Sequence, residues 1–255
     1  DGRWEDVMPA SRAIAALFAF SLFGIQAQAA ELKVVSTTAF KGVLEELGPQ
    51  FEKTTENKVS FAFAPTVVIK TQIEQGAAFD VAVLTSAVND GLAAAGKIVP
   101  DSGKTVARAG MGVAVANGAA KPDLSTVDAF KQALLNAKSI GFNGQGASRA
   151  GFEALFAKLG MTDVLAPKIK LLQTGAPEGV ARGEVELGLG PVSEIIPTPG
   201  VQVAGFLPAE IQSYLVLTAA ISASSKEAAA AQNFIKFLTA PSALPVLTAK
   251  GMDQG

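Results

Sequence analysis

"SIGFNGQGASRAGFEALFAKLG", residues 139–160, puts a short apolar run, a glycine-rich turn and an amphipathic helix in one stretch. Ile140 and Phe142 mark a buried strand, and Phe152, Leu155, Phe156 and Leu159 recur at helical spacing. Strand, tight loop and helix together are the building unit of α/β proteins. Ser148 and Arg149 stand where the helix begins. The first amides of a helix lack intrahelical partners and already carry partial positive charge. A cation there is unfavourable to the helix, so Arg149 predicts a bound anion, held by the planar fork of the guanidinium.

The unit recurs on both sides of this stretch. Strands are expected at 32–35, 59–64, 79–85, 111–116, 169–172, 185–190, 201–206 and 214–222. Helices fall between them. The first carries Phe40, Val43, Leu44, Leu47 and Phe51 on one face, and Gly48-Pro49 should kink or divide it. Helix 127–137 should be capped by Ser125 or Thr126, and helix 226–240 should meet its stop at Pro241. This alternation predicts an α/β protein of two lobes, each a mostly parallel sheet flanked by helices. The expected lobes are 30–110 with 214–255, and 111–206. Crossings are expected near 107–112 and in the 206–213 loop, with 207–213 as the hinge crossing.

The N-terminal stretch reads as a secretory signal peptide behind a short upstream extension. Arg12 precedes thirteen uncharged residues, Ala13 to Ile25, and Ala27-Gln28-Ala29 gives the small-x-small site. Cleavage is expected after Ala29, which would remove Trp4 and send the protein to the periplasm. With 21 Lys and Arg against 23 Asp and Glu, the charge gives no reason to expect nucleic acid or an anionic membrane as partner. The absence of Cys excludes disulfides and thiolate chemistry, and the absence of His removes Ser-His-Asp triads, imidazole acid–base catalysis and His metal sites. No metal and no cofactor are expected. "GQGASRAG" departs from the dinucleotide fingerprint at Arg149, and no phosphate-binding loop is present.

Parallel sheets take ligands at the carboxyl ends of their strands. Those ends carry Ser36 and Thr37, then Thr66 behind Pro65, then Ser148 and Arg149. They also carry the backbone of Glu178, Gly179 and Val180 behind Pro177, and Pro191 and Val192. These residues form the expected ligand site. Glu178 and Glu194 are either carboxylates stabilising a helix start or, without His or Cys, the candidate acid–base groups.

Four stretches, "VVSTTAFKGVLEELGPQFEK", "IKTQIEQGAAFDVAVLTS", "SRAGFEALFAKLG" and "GEVELGLGPVSE", together resemble the periplasmic molybdate-binding proteins of ABC importers. The resemblance implies a type II two-lobe binding protein, ligand capture by hinge closure, a monomer and an importer permease as partner. In that family serine hydroxyls and backbone amides hold the oxyanion. Ser36 matches the first of these, whereas Ala64-Pro65-Thr66 lacks the second serine. The family tyrosine falls on Gly190-Pro191, and Arg149 is added. These departures favour a di- or tricarboxylate over molybdate. The run "GPVSEIIPTPGVQVAGFLPAEIQ" with "KPDLSTVDAFKQALLNAKSI" resembles periplasmic aconitate isomerases on the same fold. The expected function is therefore capture of a small organic anion. The alternatives are aconitate isomerisation and oxyanion delivery to an importer.

Overall fold

A computed structural model describes residues 30–255. The expected signal peptide, its cleavage site and Trp4 lie outside the described residues. The chain alternates strand and helix as its pattern requires. It begins with β1 (Glu31–Thr37), a single 3-10 turn (Thr38–Phe40), α1 (Lys41–Thr55), β2 (Lys58–Ala64), α2 (Thr66–Glu74), β3 (Val81–Thr85) and α3 (Ser86–Ala94). Then come β4 (Lys104–Ala116), α4 (Val127–Asn136), β5 (Ile140–Asn143), α5 (Arg149–Lys158), α6 (Thr162–Leu165), β6 (Ile169–Leu172), α7 (Ala176–Ala181), β7 (Leu187–Pro191) and α8 (Val192–Ile195). The chain closes with β8 (Val201–Phe206), β9 (Tyr214–Ile221), α9 (Ala228–Leu238), α10 (Leu244–Ala249) and β10 (Met252–Gln254).

The strands run in the order β2-β1-β3-β9-β4-β7-β5-β6, with β8 and β10 also paired to β4. The flanks are parallel: β1 with β2 and β3, and β5 with β6 and β7. The strands between the two halves run antiparallel, β9 against β3 and β4, and β7, β8 and β10 against β4. The parallel expectation therefore describes the flanks, and the return strands make each sheet mixed. β4 is far longer than the strand expected at 111–116. Its residues 104–110 pair with β9, and residues 111–116 pair with β7 and β8. One continuous strand thus serves both halves. The loop before β9 is fastened to it: Met111 N donates to Ser213 O at 3.2 Å, and Gln212 Nε2 donates to Met111 O at 3.1 Å.

Each half covers its sheet with helices whose apolar faces the sequence announces. On one side Phe40, Leu44, Leu47 and Phe51 are fully buried with Leu32, Val34 and Phe234, and the Phe51 and Phe234 rings meet edge to face at 4.9 Å. On the other, Phe130, Leu134, Phe142, Phe152 and Phe156 pack beneath β5. Helix α1 runs undivided through Gly48-Pro49, so of the expected kink or division the division does not occur. An interior proline costs about 3 kcal/mol, whereas burying one large aliphatic or aromatic side chain returns about 1.5–3 kcal/mol, and α1 buries four such residues around Pro49. The Thr126 cap forms as the sequence suggests, accepting from Ala129 N at 3.1 Å.

Gly112 is the closest approach in β4. A Cβ there would lie 2.6 Å from Val192 Cγ2 and 2.9 Å from the Gly205 carbonyl oxygen, and the backbone atom cannot move aside. Gly112→Ala should therefore lower unfolding free energy by about 1–3 kcal/mol, the usual cost of overpacking. Gly103→Ala, where a Cβ meets nothing within 4 Å, should change it little. Equal denaturation midpoints for the two variants would contradict this packing.

Candidate functional site

The carboxyl ends of β1, β2, β5, β6 and β7 open onto one cleft between the two halves. It is lined by Thr38, Lys41, Glu45, Pro65, Asn143, Gln173, Thr174, Gly175, Glu178, Ser193 and Glu194, with a volume of about 510 Å³. A narrow extension runs past Thr37, Ser148, Pro191 and Leu215. A wider hollow of about 870 Å³ lies under α4, where Ser139 and Leu187 mark the amino ends of β5 and β7. Ligands of α/β sheets bind at the opposite strand ends, so the smaller cleft is the candidate site.

The hydroxyls expected after β1 and β2 are brought together. Ser36, Thr37 and Thr66 are all buried, and Thr66 Oγ1 donates to Thr37 Oγ1 at 3.2 Å. Ser36 Oγ donates to the Thr37 carbonyl at 3.2 Å, which turns it into the backbone. Ser148 and Pro191 line the narrow extension, and Val192 is buried behind it. The Gly179 amide donates to the Gly175 carbonyl at 3.2 Å inside its own turn, and Val180 packs into the core beside it. Glu178 faces the cleft. Gly175 makes this possible, because a Cβ at that position would collide with the Glu178 carboxylate.

Arg149 stands at the start of α5, but its side chain is not part of the cleft wall. Nε donates to Glu153 Oε1 at 2.8 Å and Nη1 to the Gly144 carbonyl at 3.0 Å, so the guanidinium staples its own loop. The cleft instead receives Lys41, from the first turn of α1, 3.7 Å from Glu45. The reading of strand ends passed over Lys41, which looks like any solvent-facing lysine of an amphipathic helix. Ser193, which follows Pro191 and Val192 at the end of β7, and Asn143 also line the cleft. Asn143 ends β5, is buried and holds the Gln145 amide at 2.8 Å. Its place directly before the glycine-rich turn was the available signal.

Glu194 is the most perturbed group of the site. Thr38 Oγ1 donates to Glu194 Oε1 at 2.8 Å, across 156 residues of chain and across the cleft. Loss of hydration in the cleft wall pushes its carboxyl up to about 7 from 4.5; the Thr38 donor opposes the rise and the Glu178 carboxylate adds to it. Carboxyls tuned this close to neutrality serve proton transfer or take up a proton with a ligand.

A two-lobe α/β fold with one polar cleft at its strand ends defines a solute-binding protein. The chain belongs to the family described as bacterial extracellular solute-binding protein, which matches residues 32–253. It is 31% identical to the molybdate-binding protein ModA of Azotobacter vinelandii over 263 residues, covering 94% of this chain and 96% of that protein. It is 28% identical to an aconitate isomerase of a Pseudomonas species over 228 residues, covering 87% of each. The solved periplasmic molybdate-binding protein of Azotobacter vinelandii superposes with a TM-score of 0.75 at 27% identity, covering 88% of this chain and 99% of that one.

A carboxyl whose pKa is raised by folding costs stability once it must ionise. Below about pH 4.5 both folded and unfolded forms hold the proton and nothing is lost; the cost grows from there to about pH 7 and is then complete. Glu194→Gln should therefore stabilise the unliganded protein at pH 8 by up to about 3 kcal/mol, at about 1.4 kcal/mol per pH unit, and by little at pH 4.5. Thermal unfolding of both proteins across this range checks the sign; a difference that does not grow with pH contradicts the desolvated carboxyl.

Proposed function

We propose that the protein captures a small organic di- or tricarboxylate in the interlobe cleft. The observation that carries this reading is the cleft wall itself, which sets the carboxyls of Glu178 and Glu194 beside hydroxyls and a single lysine, Lys41, itself 3.7 Å from a third carboxyl, Glu45. A compact dianion such as molybdate would place its full charge against both glutamates. A polycarboxylate can spread its charges, one end toward Lys41 and the other toward Ser148 and the Thr37–Thr66 hydroxyls, and keep its carbon skeleton opposite the glutamates. The volume of about 510 Å³ suits such a molecule. The name of the molybdate-binding relative supports anion capture, and that of the aconitate isomerase supports carboxylates.

Arg149 enters the proposal as a second clamp. Its exposed i,i+4 pair with Glu153 is worth only about 0.3–0.5 kcal/mol, so a ligand carboxylate near Ser148 can replace Glu153. The proposal extends to closure of lobes 30–110 with 214–255 onto 111–206, about the crossings at 107–112 and 207–213. It extends also to export by signal peptide to the periplasm, and to an importer permease as partner.

One observation favours a second reading, isomerisation of aconitate. A carboxyl held near pH 7 beside a second carboxyl is the equipment of an allylic proton shift. In that reaction a carboxylate removes a proton from the ligand methylene. The electron pair moves through the double bond, and a proton returns to the other allylic carbon, so the cis and trans isomers exchange with no net proton change.

Titration calorimetry with tricarballylate, cis-aconitate and molybdate is the test. Carboxylate binding with little response to molybdate is expected. Arg149→Ala or Lys41→Ala should lose about 2–5 kcal/mol if that cation is buried against the ligand. Tight molybdate binding without carboxylate binding would overturn the reading. NMR of cis-aconitate incubated with the protein tests turnover: appearance of the trans isomer, abolished in Glu194→Gln, establishes the isomerase, and its absence removes it.

A further inference from the structure

Among the described residues, one side-chain hydrogen bond joins the two lobes outside the crossings, Thr38 Oγ1 to Glu194 Oε1 at 2.8 Å, and no ion pair does. Thr38 opens the 3-10 turn after β1, and Glu194 lies in the first turn of α8, which packs against that turn. The same helix meets the other lobe at a second place. A Cβ at Gly251, between α10 and β10, would lie 2.7 Å from Ile196 Cδ1 and 2.9 Å from Val192 Cγ1. When hinged lobes part, such a contact breaks: Thr38 leaves with its own lobe and water reaches the Glu194 carboxyl. Closing strips that water away, which penalises the ionised carboxyl and spares the neutral one. A protonated carboxyl keeps the bond, because its carbonyl oxygen still accepts from Thr38.

The charges around Glu194 do not cancel this penalty. Glu178 on α7 belongs to the same lobe and repels Glu194 whether the lobes are open or closed. Across the cleft, Lys41 on α1 is engaged by Glu45 at 3.7 Å. Arg149 on α5 is engaged by Glu153 at 2.8 Å, and Lys250 at the end of α10 by Glu46 at 3.1 Å. The neighbouring stretches of β4 (111–116), β7 and β8 carry no charged residue. The carboxyl that closure holds up to about 7 therefore falls back toward 4.5 as water returns. We infer that the Thr38–Glu194 contact is a proton-sensitive latch: the lobes close with uptake of a proton at Glu194 and reopen as that proton is lost. The inference rests on the closure of the two lobes proposed above and adds its regulation. Acid favours capture, and a rise in pH favours release.

Small-angle scattering of the ligand-free protein reads closure as a smaller radius of gyration. The wild-type protein should be more compact at pH 5 than at pH 8. Its closed-to-open ratio should fall by up to about tenfold per pH unit between about 4.5 and 7, the limit for one linked proton. Glu194→Gln, neutral and still able to accept from Thr38, should keep the compact radius at both pH values. Thr38→Val, which keeps the shape and removes the donor, should have the larger radius at pH 5. A wild-type radius that ignores pH but shrinks with saturating tricarballylate overturns the latch and leaves capture by closure standing. A pH response that persists in Glu194→Gln also overturns it. A radius that follows pH through Glu194, with no tricarballylate binding by calorimetry, upholds the latch and defeats the polycarboxylate reading. A radius that answers to neither proton nor ligand defeats closure and takes the latch with it.

Discussion

A half-buried carboxyl group in the wall of the cleft is the constraint on which the rest of the site depends. Glu194 reaches Thr38 across the cleft, and the hydrogen bond joins the turn after β1 to the helix after β7. Desolvation favours the protonated form, and Glu178 adds its repulsion. Whatever enters must tolerate two glutamates, offer them something to bind, or exchange a proton with them.

The scaffold makes the demand geometrically possible. β4 runs through both halves and β9 returns beside it, with Gln212 tying the second crossing to Met111. Two sheets that share a strand keep their carboxyl ends facing one another while leaving space between. The close approach at Gly112 seats Val192, and so places the short helix that carries Ser193 and Glu194. Packing far from the ligand thus fixes where the acidic groups stand.

Much of this was legible in the sequence because it is local. Helical spacing of Phe40, Val43, Leu44, Leu47 and Phe51 placed α1, and Thr126 announced its cap. Other features were not legible because they are decided at long range. Pro49 reads as a kink or a break, and burial on both sides of it keeps the helix undivided. Met252-Asp253-Gln254 has no strand pattern and becomes one only because β4 offers an edge. The site divides in the same way. Strand ends identified the hydroxyls of Thr37 and Thr66 and both glutamates. Arg149 was singled out by its place at a helix start, but Glu153, one turn on, engages it, and Lys41 stands in the cleft. That Ser193 and Glu178 lack partners is a property of the packed fold that no spacing in the chain reveals.

The central claim is that a polycarboxylate lies in the cleft at the strand ends, its charges on the hydroxyls and cations and its skeleton opposite the two glutamates. A crystal structure of the protein grown with tricarballylate measures this most directly. Ligand density is expected between Thr38, Asn143, Ser193 and Glu178, with a carboxylate toward Lys41 or Arg149. Density in the hollow under α4 beside Lys121 and Lys138, with the strand-end cleft unfilled, would contradict it.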